Sequence, residues 1–131
     1  MSNSKTYNDK VVNYSNNQLT ELILGKKVEI VYCSYNKLTE LKLGKNVEYV
    51  SCFYNQLTEL IIGEKVEKVY CYNNQLTELI LPENVQEVYC WNNQLTELIL
   101  PENVKRVNCD SKVHNLKNYL NKNITIELFY L

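Results

Sequence analysis

A mostly β solenoid of about six coils, with short parallel strands and a C-terminal cap of one helix and one strand, is the fold class this sequence predicts. Three observations carry that reading. The hexapeptide Asn-Gln/Lys-Leu-Thr-Glu-Leu recurs with its first leucine at Leu19, Leu38, Leu57, Leu76 and Leu95, a spacing of 19 residues without an insertion. A unit that short cannot enclose a core alone and becomes stable only by stacking on neighbours of the same kind. Finally, Val31-Tyr32-Cys33-Ser34 and its copies alternate apolar and aromatic or polar residues with period two, as a short strand does when its side chains point to opposite faces.

The 131 residues make one domain by size. Residues 1–8 read as an N-terminal tail, 9–111 as the solenoid with units starting at 9, 28, 47, 66, 85 and 104, and 112–131 as the cap. With 14 basic and 15 acidic residues interspersed, the net charge near −1 gives no footprint for nucleic acid and no polybasic patch for a membrane surface. The first ten residues hold no apolar run of secretory-signal length, and no stretch approaches membrane-spanning length. The expected location is therefore the cytoplasm, that of the host if the protein is viral.

Setting each unit to start at Val28, Val47, Val66, Val85 or Val104 gives Val-x-x-Val-x-Cys-x-x-Asn-x-Leu-Thr-Glu-Leu-x-Leu-Pro/Gly-x-Asn, preceded by a degenerate copy from Asp9. This line resembles the leucine-rich repeat, whose signature is L-x-x-L-x-L-x-x-N-x-L, with Val and Cys in several leucine slots. The tail Asn-x-Leu-Thr-x-Leu-x-Leu-Pro is most similar to the short repeats of bacterial secreted effectors and of related proteins of large amoebal viruses, whose bacterial units run one residue longer. The resemblance implies a recognition module. In those effectors ubiquitin transfer belongs to a separate catalytic domain that has no counterpart in this sequence.

Within the unit, the signature strand comes first, with Val and Cys inward. The residues left for the return path are too few for a helix of ordinary length, about 11 residues, plus two connections. Leu41-Lys42-Leu43 and its equivalents are therefore expected to form a second short strand. Gly44, Gly63, Pro82 and Pro101 mark one corner. Asn36, Asn55, Asn74 and Asn93 mark the other, where a side-chain amide can bond turn backbone that would otherwise be buried and unpaired. The inward positions of one unit are Val66, Val69, Cys71, Leu76, Leu79 and Leu81, each contributing about 1.5–3 kcal/mol when fully buried.

At the C-terminal end His114 falls in the leucine slot. Val113, Leu116 and Leu120 recur at helical spacing behind the N-cap candidates Asp110 and Ser111, and counting on by 19 places Ile126 and Leu128 in the valine and cysteine slots of a final strand, 124–130. The N-terminal coil, with Asp9 and Tyr14 in core slots, is capped less completely and offers an edge through which a homodimer could form.

The five cysteines, Cys33, Cys52, Cys71, Cys90 and Cys109, fall in one column. Neighbouring coils lie about 4.8 Å apart with parallel side chains, whereas a disulfide wants converging Cβ atoms about 3.5–4.5 Å apart. Buried, reduced thiols acting as small hydrophobes are the expectation. Glu21, Glu40, Glu59, Glu78 and Glu97 form a second column whose like charges nearby lysines and salt must relieve. His114 is the sole histidine, and no nucleophile–base set, phosphate loop or zinc-type spacing accompanies it. No catalytic residue, cofactor or metal is assigned.

The outward columns carry the functional expectation. Tyr32, Tyr70 and Tyr89 share one row; Ser34, Phe53, Tyr72 and Trp91 share the next; Ile30, Tyr49, Tyr35 and Tyr54 flank them, so seven of the eleven tyrosines gather on one face. Such rings bring large apolar area with a polar handle, although aromatic residues also stabilise the sheet that bears them. The expected function is non-enzymatic recognition of a protein or peptide by Tyr32, Tyr49, Phe53, Tyr70, Tyr72, Tyr89 and Trp91. Structural self-association, through the N-terminal coil or an Ile61, Ile80 and Ile99 stripe, and carbohydrate binding by the rings are the alternatives.

Overall fold

The computed structural model describes residues 9–119 and 122–130, so the expected tail 1–8 and Leu120 lie outside the described residues. The chain winds as a solenoid of short strands. Seven of them, β1 (Val11–Asn13), β2 (Ile30–Tyr32), β4 (Tyr49–Ser51), β6 (Lys68–Tyr70), β7 (Glu87–Tyr89), β8 (Arg106–Asp110) and β9 (Thr125–Phe129), form one parallel sheet in that order. Each pairing advances by 19 residues, as in Val31↔Val50, Val69↔Val88 and Val107↔Ile126. The expected parallel solenoid is thus the observed one.

The core is a set of columns. Val31, Cys33, Leu38, Val47 and their equivalents in the next coils are fully or almost fully buried. The frame holds to the end, since Leu128 pairs with Cys109 as counted from the sequence.

Both corners are built from asparagine. At the inner corner, Asn74 Oδ1 accepts from the Leu57 amide at 2.9 Å, while its Nδ2 donates to the carbonyls of Cys52 and Cys71, each at 3.0 Å. Asn55 and Asn93 repeat this pattern one coil earlier and later. Each amide therefore bonds two coils at once, and the ladder satisfies backbone groups that water cannot reach. At the other corner a four-residue turn closes from the Val28, Val47, Val66, Val85 and Val104 amides to the carbonyls of Gly25, Gly44, Gly63, Pro82 and Pro101. Asn46, Asn84 and Asn103 there donate to the preceding coil.

The return path differs from expectation. Among the described residues only β3 (Glu40–Lys42) and β5 (Glu59–Ile61) pair as a second sheet. The paired coils come close at the corner that follows. A Cβ built on Gly63 would sit 2.9 Å from the Gly44 carbonyl oxygen, so these two coils stack closely at their corner. The stretches before Pro82 and Pro101 run without a ladder, and so does the one before Gly25.

The C-terminal cap begins with a 3-10 helix, His114–Tyr119, followed by β9. Val113 and Leu116 are buried against the last coil, and the Tyr119 hydroxyl accepts from the Leu100 amide at 3.1 Å. The expected N-cap role of Asp110 is not what the structure shows. In earlier coils the Tyr54 and Asn73 amides donate to the carbonyls of Tyr72 and Trp91. At the equivalent place the Asp110 carboxylate substitutes for a carbonyl, accepting from the Asn92 and Asn93 amides at 2.8 and 3.2 Å.

All five cysteines are free and buried. Burial pushes the thiols of Cys33, Cys71 and Cys109 from the ordinary 9.0 up to about 12, and those of Cys52 and Cys90 well up too. The fold therefore favours the protonated thiols. That contribution is fully present below the unfolded value of 9.0 and is lost as pH rises toward the folded value of about 12. The denaturation midpoint should fall between pH 8 and pH 11, and a thiol reagent should find five reactive groups only after unfolding. A fast-reacting thiol in the native chain would contradict the inward column.

Candidate recognition face

Because strand side chains alternate, Val and Cys occupy the inner face of the large sheet and the rings its outer face. Two ring files cross the coils there. In one, Phe53, Tyr72, Trp91 and Phe129 stack successively, with centroids 4.4, 5.0 and 4.9 Å apart and interplanar angles of 6°, 8° and 22°. In the other, Tyr32, Tyr49 and Tyr70 lean together at 5.4 Å and Tyr70 lies flat on Tyr89 at 4.5 Å. All seven residues expected to bind a partner stand in these files. Phe129 joins them from the cap, and counting on by 19 twice from Trp91 would have placed it there.

Each gap in a file is bridged by a ring. Ser34, expected in an outward row, is buried, as is Ser51, and their hydroxyls lie 3.0 Å apart. Phe129 reaches back to Trp91 across the coil of Asp110, which is itself buried. The small or short side chain at each gap makes room for its neighbour's ring.

Face-to-face stacking changes what the files present. Both faces of Tyr72 are covered, one by Phe53 and the other by Trp91, which leaves ring edges and hydroxyl groups to solvent. Tyr70, Tyr72, Tyr89 and Trp91, the four central rings, are only half exposed. The open rings are Tyr35 at 49%, Tyr54 at 46% and Tyr32 at 37%. Tyr35 and Tyr54 stack on each other at 4.9 Å and meet Phe53 edge-on.

Those two tyrosines also hold an unusual backbone. Tyr35 and Tyr54 have φ of 57° and 54°, and the same column continues with Asn73 at 56° and Asn92 at 54°. Asparagine enters the left-handed region readily, whereas a bulky ring does so at a cost of about 1–2 kcal/mol. Sequence reasoning placed both tyrosines at the flank of this face and not among the residues expected to bind a partner. The signal was available, because a column reading Tyr, Tyr, Asn, Asn marks a left-handed turn position that rings occupy against preference.

Charges border the files. Tyr70 Oη donates to Glu87 Oε2 at 3.4 Å, and Lys68 Nζ lies 3.9 Å from Glu87 Oε1. Burial first, then neighbouring acidic groups, raises the Tyr70 hydroxyl above its ordinary value, and burial does the same for Tyr49 and Tyr72. These rings are thus neutral hydrogen-bonding groups at physiological pH. Asn108, buried beside Tyr89, donates to Glu127 at 2.9 Å, and its Oδ1 has no partner among the described residues. An open polar groove lined by Glu67, Gln86, Glu87, Lys105, Arg106 and Thr125 adjoins this end of the sheet.

Elsewhere the chemistry is sparse. Among the described residues no three His, Cys, Asp or Glu side chains are arranged to hold a metal, and no helix is long and apolar enough to cross a membrane. His114 is exposed at the start of the cap helix.

No family model and no curated protein matches the chain. Its architecture is similar to that of a solved structure described as "Structure of Shigella effector LRR domain", with a TM-score of 0.72 over 94% of this chain and 82% of that one, at 16% identity. Likeness at that identity concerns the fold. Taken with the 19-residue frame, the parallel sheet and the asparagine corner, it makes this chain a leucine-rich-repeat-type solenoid.

Proposed function

We propose that the chain is a non-enzymatic recognition module that takes a protein or peptide across the ring edges, with Tyr32, Tyr35 and Tyr54 as its open anchors and Phe53, Tyr72 and Trp91 as the floor beneath them. The observation that carries this reading is the pair of left-handed tyrosines. Asn73 and Asn92 make the same turn two coils on, so the fold does not need a tyrosine there. Strain kept where an unstrained residue would serve points to use of the side chain. Ring edges and hydroxyls suit a polypeptide, which offers apolar side chains and backbone groups together. A sugar platform is less well served, because it needs the ring faces that the files close off against one another.

Replacing Tyr35 and Tyr54 together by asparagine separates function from stability. Relief of strain, about 1–2 kcal/mol per residue, offsets loss of stacking worth about 0.5–1.5 kcal/mol per pair. The urea midpoint should therefore stay close to wild type. Wild-type and Y35N/Y54N chains, immobilised side by side in cell extract, should differ by a protein that only the wild type retains. Equal retention by both would overturn the assignment of this face.

A further inference from the structure

The opposite side of the solenoid carries the most exposed aliphatic side chains in the described structure. Ile61, Ile80 and Ile99 are 45%, 76% and 73% exposed; the exposed Lys42 holds the same column one coil earlier and ends the aliphatic run, with Ile23, 70% exposed, on its far side. Shallow grooves separate successive coils here. The one between the coils of Ile61 and Ile80 is lined by Thr58, Glu59, Ile61, Thr77, Glu78 and Ile80, and the next repeats it with Thr96, Glu97 and Ile99. A run of aliphatic side chains this open marks an interaction surface.

Its borders say what covers it. Two residues before each isoleucine stands an exposed glutamate, Glu59, Glu78 or Glu97, and three residues after each stands another, Glu64, Glu83 or Glu102. The ion pairs found among the described residues, Lys10 with Glu29 and Lys68 with Glu87, involve none of these six carboxylates. A second copy fits badly. A two-fold axis across the solenoid would set Glu59, Glu78 and Glu97 against themselves, and one along it would set them against Glu64, Glu83 and Glu102. Like charges brought together over a desolvated centre oppose association.

We propose that this stripe docks a basic amphipathic helix of another protein, its apolar residues over Ile61, Ile80 and Ile99 and its lysines or arginines reaching the two glutamate borders. The spacing suits such an occupant. A helix rises about 5.4 Å per turn against about 4.8 Å per coil, so successive turns offer one apolar residue to each groove. This surface is distinct from the ring files, and the two can be lost independently.

The test uses the whole chain and a labelled peptide of about 14 residues, long enough at 1.5 Å each to span the stripe. The peptide places leucine at i, i+3, i+4 and i+7 with lysine elsewhere. A twin carries glutamate in place of lysine, and a scrambled version keeps the composition without the apolar face. Fluorescence anisotropy should show binding of the leucine–lysine helix, weakened at least about tenfold by the twin, by scrambling or by Ile80→Ser with Ile99→Ser. The Y35N/Y54N chain should bind it as wild type does. Four results would overturn the proposal: no binding, equal binding of the twin or scrambled peptide, indifference to I80S/I99S, or concentration-dependent dimerisation abolished by I80S/I99S, which would assign the stripe to a second copy.

Discussion

Leu76→Ala should lower the stability of the chain by about 2–5 kcal/mol, the range for emptying a well-packed leucine site. Leu76 has no exposed surface, and the leucines of the coils on either side, Leu57 and Leu95, are buried as well. In a stacked column the vacated volume has a coil above and a coil below, each held in place by asparagine bonds, so neither can move in to fill it. Partial relaxation is what makes some cavities cheap, and it is blocked here. The same truncation at Ile80, 76% exposed, should change stability by no more than about 0.5 kcal/mol. Urea denaturation of the two variants reads the contrast. A midpoint for Leu76→Ala equal to that of Ile80→Ala would refute the inward column, and with it the solenoid packing.

Much of this architecture was legible because a solenoid repeats each decision once per coil. A single Asn or Cys in a sequence means little, but Asn36, Asn55, Asn74 and Asn93 at one spacing must meet the same surroundings, so inner corner, core and final strand followed from the count. The departures occur where coils stop being equivalent. The second sheet was expected along the whole return path and, among the described residues, covers only β3 and β5, with the first return path left out of it as well as the later ones. Asp110 was read as a helix cap from local sequence. Its carboxylate instead replaces a carbonyl of the repeating pattern, a role set by the coil before it rather than by the residues after it.

The ring face divides in the same way. Which side of the sheet the rings occupy followed from period two, and the structure places Tyr32, Tyr49, Phe53, Tyr70, Tyr72, Tyr89 and Trp91 on that side. How they pack did not follow, since stacking depends on which neighbour is small enough to lean over, as Ser34, Ser51 and Asp110 are. From the sequence, these seven rings were therefore the ones expected to bind. Packing buries their faces and leaves Tyr35 and Tyr54 open at strained turns.

Asn74→Ala should be as damaging as the loss of a core leucine, for a reason that involves no apolar area. Removing the amide leaves the Leu57 N–H without its acceptor at 2.9 Å and takes from the carbonyls of Cys52 and Cys71 one of the two amide donors each has, Asn55 and Asn93 supplying the other. A buried polar group left unpaired costs about 1–3 kcal/mol, so about 2–4 kcal/mol is expected, most of it from the Leu57 N–H and the rest from the weakened bonding of the two carbonyls. Asn74→Asp tests whether geometry or bonding is responsible. The side chain keeps its shape and can still accept from Leu57, but an ionised carboxylate turns its second oxygen toward two carbonyls. Burial and those carbonyls favour the protonated form in the fold, so the folded pKa of the new carboxyl lies above its unfolded value of about 3.9. Its stabilising contribution is then present below that value and lost as pH rises through the folded pKa. Asn74→Asp should consequently approach wild type in acid and Asn74→Ala at neutral pH, whereas Asn74→Ala should show no such recovery relative to wild type. If the two variants kept the same stability difference from wild type at every pH, the ladder would be a consequence of the stacking rather than one of its causes.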